Sequence, residues 1–293
     1  MVHPLYLTRF TGFCFAHEVT EGGTIRLSLA YAITNVSDGG MMAATLDGVK
    51  SSGRTIQIRE EPWFPGRWLG GLSLIAAPLI FLTGILLRLR FRFFFPYQLA
   101  AFDQHPILMT AAYNCFWAGN ILLWPAVLTI TQKIGRSKPK WAAWGGAFVL
   151  FGLFARTFHA GADHLAFQLV RIEGVDRATK TIAASYGAFH IVSALSATIM
   201  IGWILLAIGG YLSGTFGLLR SVGLGLMSAL MLGVLKGSSI TSVVAATGLC
   251  FAMVPLGIEV LLAPPRPDFR SVLKTMAVGI VLLVLLFVSG RLG

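Results

Sequence analysis

Residues 141–170 read WAAWGGAFVLFGLFARTFHAGADHLAFQLV, between the basic residues Lys138 and Lys140 on one side and Arg171 on the other. A hydrocarbon core about 30 Å thick is crossed by about 20 apolar residues at 1.5 Å each, so this run is long enough to span. It also carries Arg156, His159, Asp163 and His164. Ionisable groups at membrane depth cost several kcal/mol and mark functional positions by default. At 100° per residue Arg156, His159 and Asp163 fall within about 60° of one another, with His164 at the edge of the stripe. Arg156 lies roughly 22 Å from Trp141 along the axis and Asp163 roughly 33 Å, which places the stripe in the far leaflet.

Similar runs recur on both sides of this one. Before it come Trp68–Leu87, closed by Arg88, Arg90 and Arg92, and Ile107–Thr131, closed by Lys133, Arg136, Lys138 and Lys140. After it come Ile182–Ala207, a short fifth run Ser221–Leu235 ending at Lys236, Ile240–Ala263 stopped by Pro264-Pro265, and Val272–Val288. Phe93–His105 is too polar to span and is expected along the interface. The expected fold is all-α, a polytopic transmembrane helix bundle of about seven spans over residues 68–293. Residues 1–67 hold no run of spanning length and read as a weakly ordered or interfacial N-terminal tail, with turns at Glu18–Gly23 and Ser37–Gly40. The opening Met1-Val2-His3-Pro4 does not fit a secretory signal.

Composition agrees. The 293 residues are 56% hydrophobic and 12% charged, with a mean hydropathy of +0.76, whereas soluble domains carry about 25% charged residues. The 33 glycines show no period of three and fall in apolar runs, where they let helices approach closely. The formal charge of +11 sits almost entirely between the runs, as in loops that anchor helices against membrane lipids; no nucleic-acid partner is expected. Twelve lysines and arginines flank the seven runs on the N-terminal side and eight on the other, a bias toward a cytoplasmic N-terminus in the cell membrane. Cys14, Cys115 and Cys250 form no metal motif or disulfide framework.

Arg67-Trp68-Leu69-Gly70-Gly71, His105-Pro106, Ala118-Gly119-Asn120-Ile121-Leu122-Leu123 and Gly202-Trp203-Ile204-Leu205-Leu206 resemble a group of multi-pass bacterial membrane proteins with no assigned activity, over about residues 67–236. The resemblance implies a bacterial membrane helix bundle and supplies no catalytic residues.

The polar residues converge further. The fourth run starts from the surface that Asp163 approaches, and Tyr186, His190 and Ser193 form a stripe on it, with His190 about 12 Å below that surface. The connection carrying Asp103, Gln104 and His105 emerges there too, and Asn114 lies one to two turns into the second run. The expected site is a polar cavity in one leaflet formed by Arg156, His159, Asp163, His164, Tyr186, His190, Asn114, His105 and Asp103. Histidine and aspartate there could hold a divalent metal, relay protons or act as acid and base; Arg156 could hold an anionic group. The structural alternative pairs Arg156 with Asp163 through His159 and leaves His164 and His105 among headgroups. Glu259, near the other surface, is expected to pair with Arg266 or Arg270.

Three functions compete. The first is a transport, resistance or immunity protein holding a small amphiphilic or lipid-like ligand in the cavity. The second is an intramembrane enzyme acting on a lipid or isoprenoid-like substrate. The third is an assembly partner using the glycines of the fifth run, Gly223, Gly225 and Gly233. The sequence lacks a P-loop, paired aspartate-rich motifs, HExxH spacing and a clear internal repeat.

Overall fold

Proline at N1 loses no hydrogen bond, because the first helical N–H groups have no partner in any case. Pro106 and Pro139 open two of the longest helices in this way. In the computed structural model the described residues are 6–10, 13–19, 25–30, 64–185, 191–230, 233–263 and 269–292. The chain forms two units, Met1–Arg59 and Glu60–Gly293. In the first, the region read as a tail, strands β1 (Tyr6–Phe10), β2 (Phe13–Val19) and β3 (Ile25–Ala30) pair antiparallel in sequence order. The expected turn at Ser37–Gly40 lies outside the described residues.

The second unit is helical: α1 (Gly66–Arg88), α2 (Phe95–Gln104), α3 (Pro106–Gly135), α4 (Pro139–Glu173), α5 (Val175–Ser185), α6 (Ile191–Leu195), α7 (Thr198–Leu212), α8 (Leu218–Gly225), α9 (Ile240–Leu262) and α10 (Phe269–Leu292). Four of these, α1, α3, α4 and α9, are long and apolar enough to cross a membrane. They match the first, second, third and sixth expected runs. The segment expected at the interface is α2, which packs on α3, α4 and α5.

The seventh run lies within α10, and the fourth and fifth runs take other forms. The described part of the fourth run falls in the end of α5, in α6 and in α7, and α7 continues to Leu212. In the fifth run α8 passes into a 3-10 turn, Leu226–Ala229, and the described residues from Gly233 to Ser239 are not helical. Gly233 and Leu235 there have positive φ, 140° and 51°. The shorter apolar helices include Thr198–Leu212 and Leu218–Ala229.

The helices pack in the order α9–α1–α3–α4–α7, and α8 lies against both α7 and α9. Arg67 fixes the α1–α9 pair as antiparallel: its guanidinium donates to the carbonyls of Val260, Leu261 and Ala263, which the end of α9 leaves without helical partners. Small residues set the spacing. A Cβ at Gly119 would stand 2.7–2.8 Å from the Cβ, Cα and N atoms of Phe81. Gly223 and Gly248 face each other just as closely, each hypothetical Cβ 2.7–2.8 Å from the other residue's carbonyl oxygen. Gly223 of the fifth run is thus occupied within this chain.

Two apolar clusters result. One is built around Leu74, Phe81, Leu123, Leu153, Trp203 and Leu249. The other lies under α2, around Leu99, Phe102, Met109, Tyr113, Phe167 and Leu235. The outer faces are apolar too: Leu72, Leu79 and Leu86 on α1, and Phe151, Phe154, Phe158 and Leu165 on α4, are exposed. A water-facing helix carries polar residues on that side, and these faces do not.

Glu259 pairs with Arg220, at 3.2 Å, and not with Arg270; Arg266 lies outside the described residues. The physical reason is the Gly223–Gly248 contact, which draws α8 onto α9. Arg220 also donates to the Ala252 carbonyl at 3.1 Å, next to the disruption that Pro255 causes in α9. Glu259→Gln is expected to change stability by less than about 1 kcal/mol, because exposed ion pairs contribute little. Arg220→Ala should cost more, since it also strips the carbonyl. Thermal unfolding of the two variants compares them, and equal losses would contradict the second contact.

Candidate functional site

The stripe on α4 faces inward between the two apolar clusters. Arg156, His159 and Asp163 line one cavity of about 40 Å³ with Arg88 and Ile85 from α1, Phe116 and Trp117 from α3, and Leu230, Gly233, Lys236, Gly237, Ser238 and Ser242 from the 3-10 turn onward. That volume suits water or a small polar group.

Each wall has an identifiable support. Asp163 is 6% exposed, and its Oδ1 accepts the Leu235 backbone N–H at 2.6 Å. Arg88 is 2% exposed although it ends its helix. Its Nε donates to Gly84 in the preceding turn at 3.3 Å and its Nη1 to the Lys236 carbonyl at 3.2 Å. Its guanidinium also lies 4.4 Å from the ring centres of both Tyr113 and Phe116, a desolvated cation–π arrangement. The Gly237 N–H donates to the Phe93 carbonyl at 2.7 Å. Three long-range bonds therefore hold residues 235–237 in a non-helical path and satisfy backbone groups that no helix pairs. Behind them Tyr113 donates to Gln98 at 3.1 Å, and Gln98 Nε2 to the Arg92 carbonyl at 2.5 Å.

Arg156 is 6% exposed. Its Nη1 donates to Asn120 Oδ1 at a long 3.4 Å, and its guanidinium carbon stands 5.8 Å from the Phe81 ring. Its Nη2 is buried without a hydrogen-bond partner. Its hydrogen-bond partner is thus Asn120 on α3, and not Asp163 two turns along its own helix as the structural alternative supposed. His159 is half-buried beside Phe158.

The expected residues do not all meet. Asn114 and His164 are exposed on the helix surface and line a second cavity, about 150 Å³, with Phe102, Thr110, Tyr113, Trp117, Phe167, Gln168 and Arg171. Trp117 lines both cavities. Asp103 and His105 are exposed and line neither. This corrects the expected convergence: α2 packs across the bundle, and His105 becomes the residue before α3 with its ring against Phe91. Tyr186 and His190 lie outside the described residues. Among the described residues no three histidine, cysteine, aspartate or glutamate side chains group as a metal site would require.

Arg88, Lys236 and Ser238 are the cavity residues that sequence reading missed, and Asn120 is the missed partner of Arg156. The two cations stand at the ends of apolar runs and read as interfacial anchors, and Asn120 sits inside an apolar run. The signal that was available is Gly233 with Gly237-Ser238-Ser239, a breaker pattern in a run too short to span. Compared with known proteins, the chain matches no family model, no curated protein and no solved structure.

Proposed function

We propose that this chain is a multi-pass protein of the bacterial cell membrane that binds a small amphiphilic, lipid-like ligand on one side of the bilayer, in the manner of a transport, resistance or immunity protein. The observation that carries the reading is the meeting of Arg156, His159 and Asp163 with Arg88 and Lys236 around one small cavity, next to an aromatic-walled cavity across Trp117. The inner cavity suits a polar end, and the outer one, with Phe102, Tyr113 and Phe167, suits an apolar part. The metal-dependent form of the enzyme reading lacks a group of three metal-ligating side chains among the described residues. The assembly reading is weakened because Gly223 already packs on Gly248.

Mass spectrometry of small molecules that co-purify with the protein tests this. Wild type should retain an amphiphile at about one per chain, and Trp117→Ala, which opens the wall between the cavities, should lose most of it. Equal retention of the same lipids by both proteins would contradict the reading.

We further propose seven crossings with a cytoplasmic N-terminus, the fifth made of α8, its 3-10 turn and non-helical residues that follow. Cysteines placed at 133–140 and at 171–180 should then react from opposite faces of the membrane, and a reporter fused to the N-terminus should be active only in the cytoplasm. Labelling of both loops from one face would rule out the α4 crossing.

A further inference from the structure

The inner cavity carries an imbalance of charge. Arg88, Arg156 and Lys236 line it against one carboxyl group, Asp163. Asp163 is already engaged by the Leu235 N–H, and Arg88 spends Nε and Nη1 on backbone carbonyls. Arg156 differs, because its buried Nη2 meets no acceptor. Ser238, 5% exposed, lines the same cavity, and its Oγ is likewise buried without a partner.

Ser238 immediately precedes Ser239, the capping residue of α9, and Ser242 in the first turn of α9 also lines the cavity. The positive end of a 23-residue helix therefore borders it, and such ends favour anions. A cation is excluded by the three cationic side chains. Donors on different elements, a guanidinium on α4 and a hydroxyl before α9, suit a tetrahedral group with acceptors in several directions better than a planar carboxylate.

We infer that the inner cavity is a phosphate site, in which a phosphoryl oxyanion is held between Arg156 and Ser238 at the start of α9. The inference deepens the ligand-binding reading above and rests on it for the source of the group, a lipid headgroup or free phosphate.

The test uses the full-length protein in a neutral, phosphate-free maltoside detergent. One arm measures binding of radiolabelled inorganic phosphate. The other measures retention of dioleoyl phosphatidate against dioleoylglycerol, the same lipid without its phosphate. At least one phosphate-bearing probe should saturate at one per chain. Its affinity should fall at least tenfold in Arg156→Gln, and threefold to tenfold in Arg156→Lys and Ser238→Ala; the last two keep the charge or the fold where Arg156→Gln does not. Binding of free phosphate alone supports a solute site, and binding of phosphatidate alone supports a headgroup site. Arg156-dependent binding of dioleoylglycerol equal to that of phosphatidate would overturn the phosphate inference and leave the amphiphile reading standing. Free phosphate binding with no amphiphile retained would do the reverse. No binding of either phosphate probe, or binding indifferent to all three substitutions, overturns the site.

Discussion

Replacing Asp163 by alanine is expected to destabilise the protein by about 1–3 kcal/mol, the cost of leaving a buried N–H without its acceptor. The N–H is that of Leu235, and it donates to Asp163 Oδ1 at 2.6 Å. Leu235 sits at φ 51°, a left-handed conformation that costs a side-chain-bearing residue roughly 1–2 kcal/mol. The hydrogen bond holds that conformation together with the bonds at Lys236 and Gly237 just after it. Asp163→Asn keeps an oxygen at Oδ1 and should lose less than half as much. Thermal unfolding in detergent should register the alanine variant as a fall of several degrees. Equal losses for alanine and asparagine would show that the Leu235 bond is not what Asp163 supplies.

The second large effect is at Gly119, where alanine is expected to cost about 1–3 kcal/mol through overpacking. Its Cβ would come within 2.7–2.8 Å of the Phe81 Cβ, Cα and backbone N. Backbone cannot rotate away as a flexible side chain can, so α1 must shift from α3. Gly161→Ala is the matched control: it lies inside α4 with nothing within 4 Å of its Cβ. There the same chemical change should stabilise by roughly 0.5–1 kcal/mol, because alanine loses less chain entropy in a helix. Opposite signs for the two variants are the expected outcome of thermal unfolding. A loss of similar size at both would mean that α1 and α3 do not approach as closely as described.

How far such contacts could be read in advance differs from element to element. Helices α1, α3, α4 and α9 follow from run length alone, since each closes on basic residues or proline. The inward stripe of Arg156, His159 and Asp163 follows from 100° per residue, a local rule that needs no neighbour. Burial of Arg88 and the place of Lys236 on the cavity do not follow from any local rule. Both arise because the segment after Gly233 meets the end of α1, a pairing across 148 residues in the case of Arg88 and Lys236. The Asp163–Leu235 bond spans 72 residues and is equally invisible to periodicity. Asp103 and His105 were placed correctly along the chain and wrongly in space, because depth along a helix says nothing about which way an intervening segment turns.

The central claim is that α4 and the segment after α8 build one polar cavity open to one side of the membrane. Single cysteines at His159 and Lys236, both partly buried on that cavity, test it most directly in a protein whose Cys14, Cys115 and Cys250 have been replaced. Right-side-out and inverted vesicles are treated with a small charged thiol reagent. The account predicts that both cysteines react from the same face, the face from which residues 171–180 react and residues 133–140 do not. Reaction of the two from opposite faces, or reaction only with a lipid-soluble reagent, would contradict it.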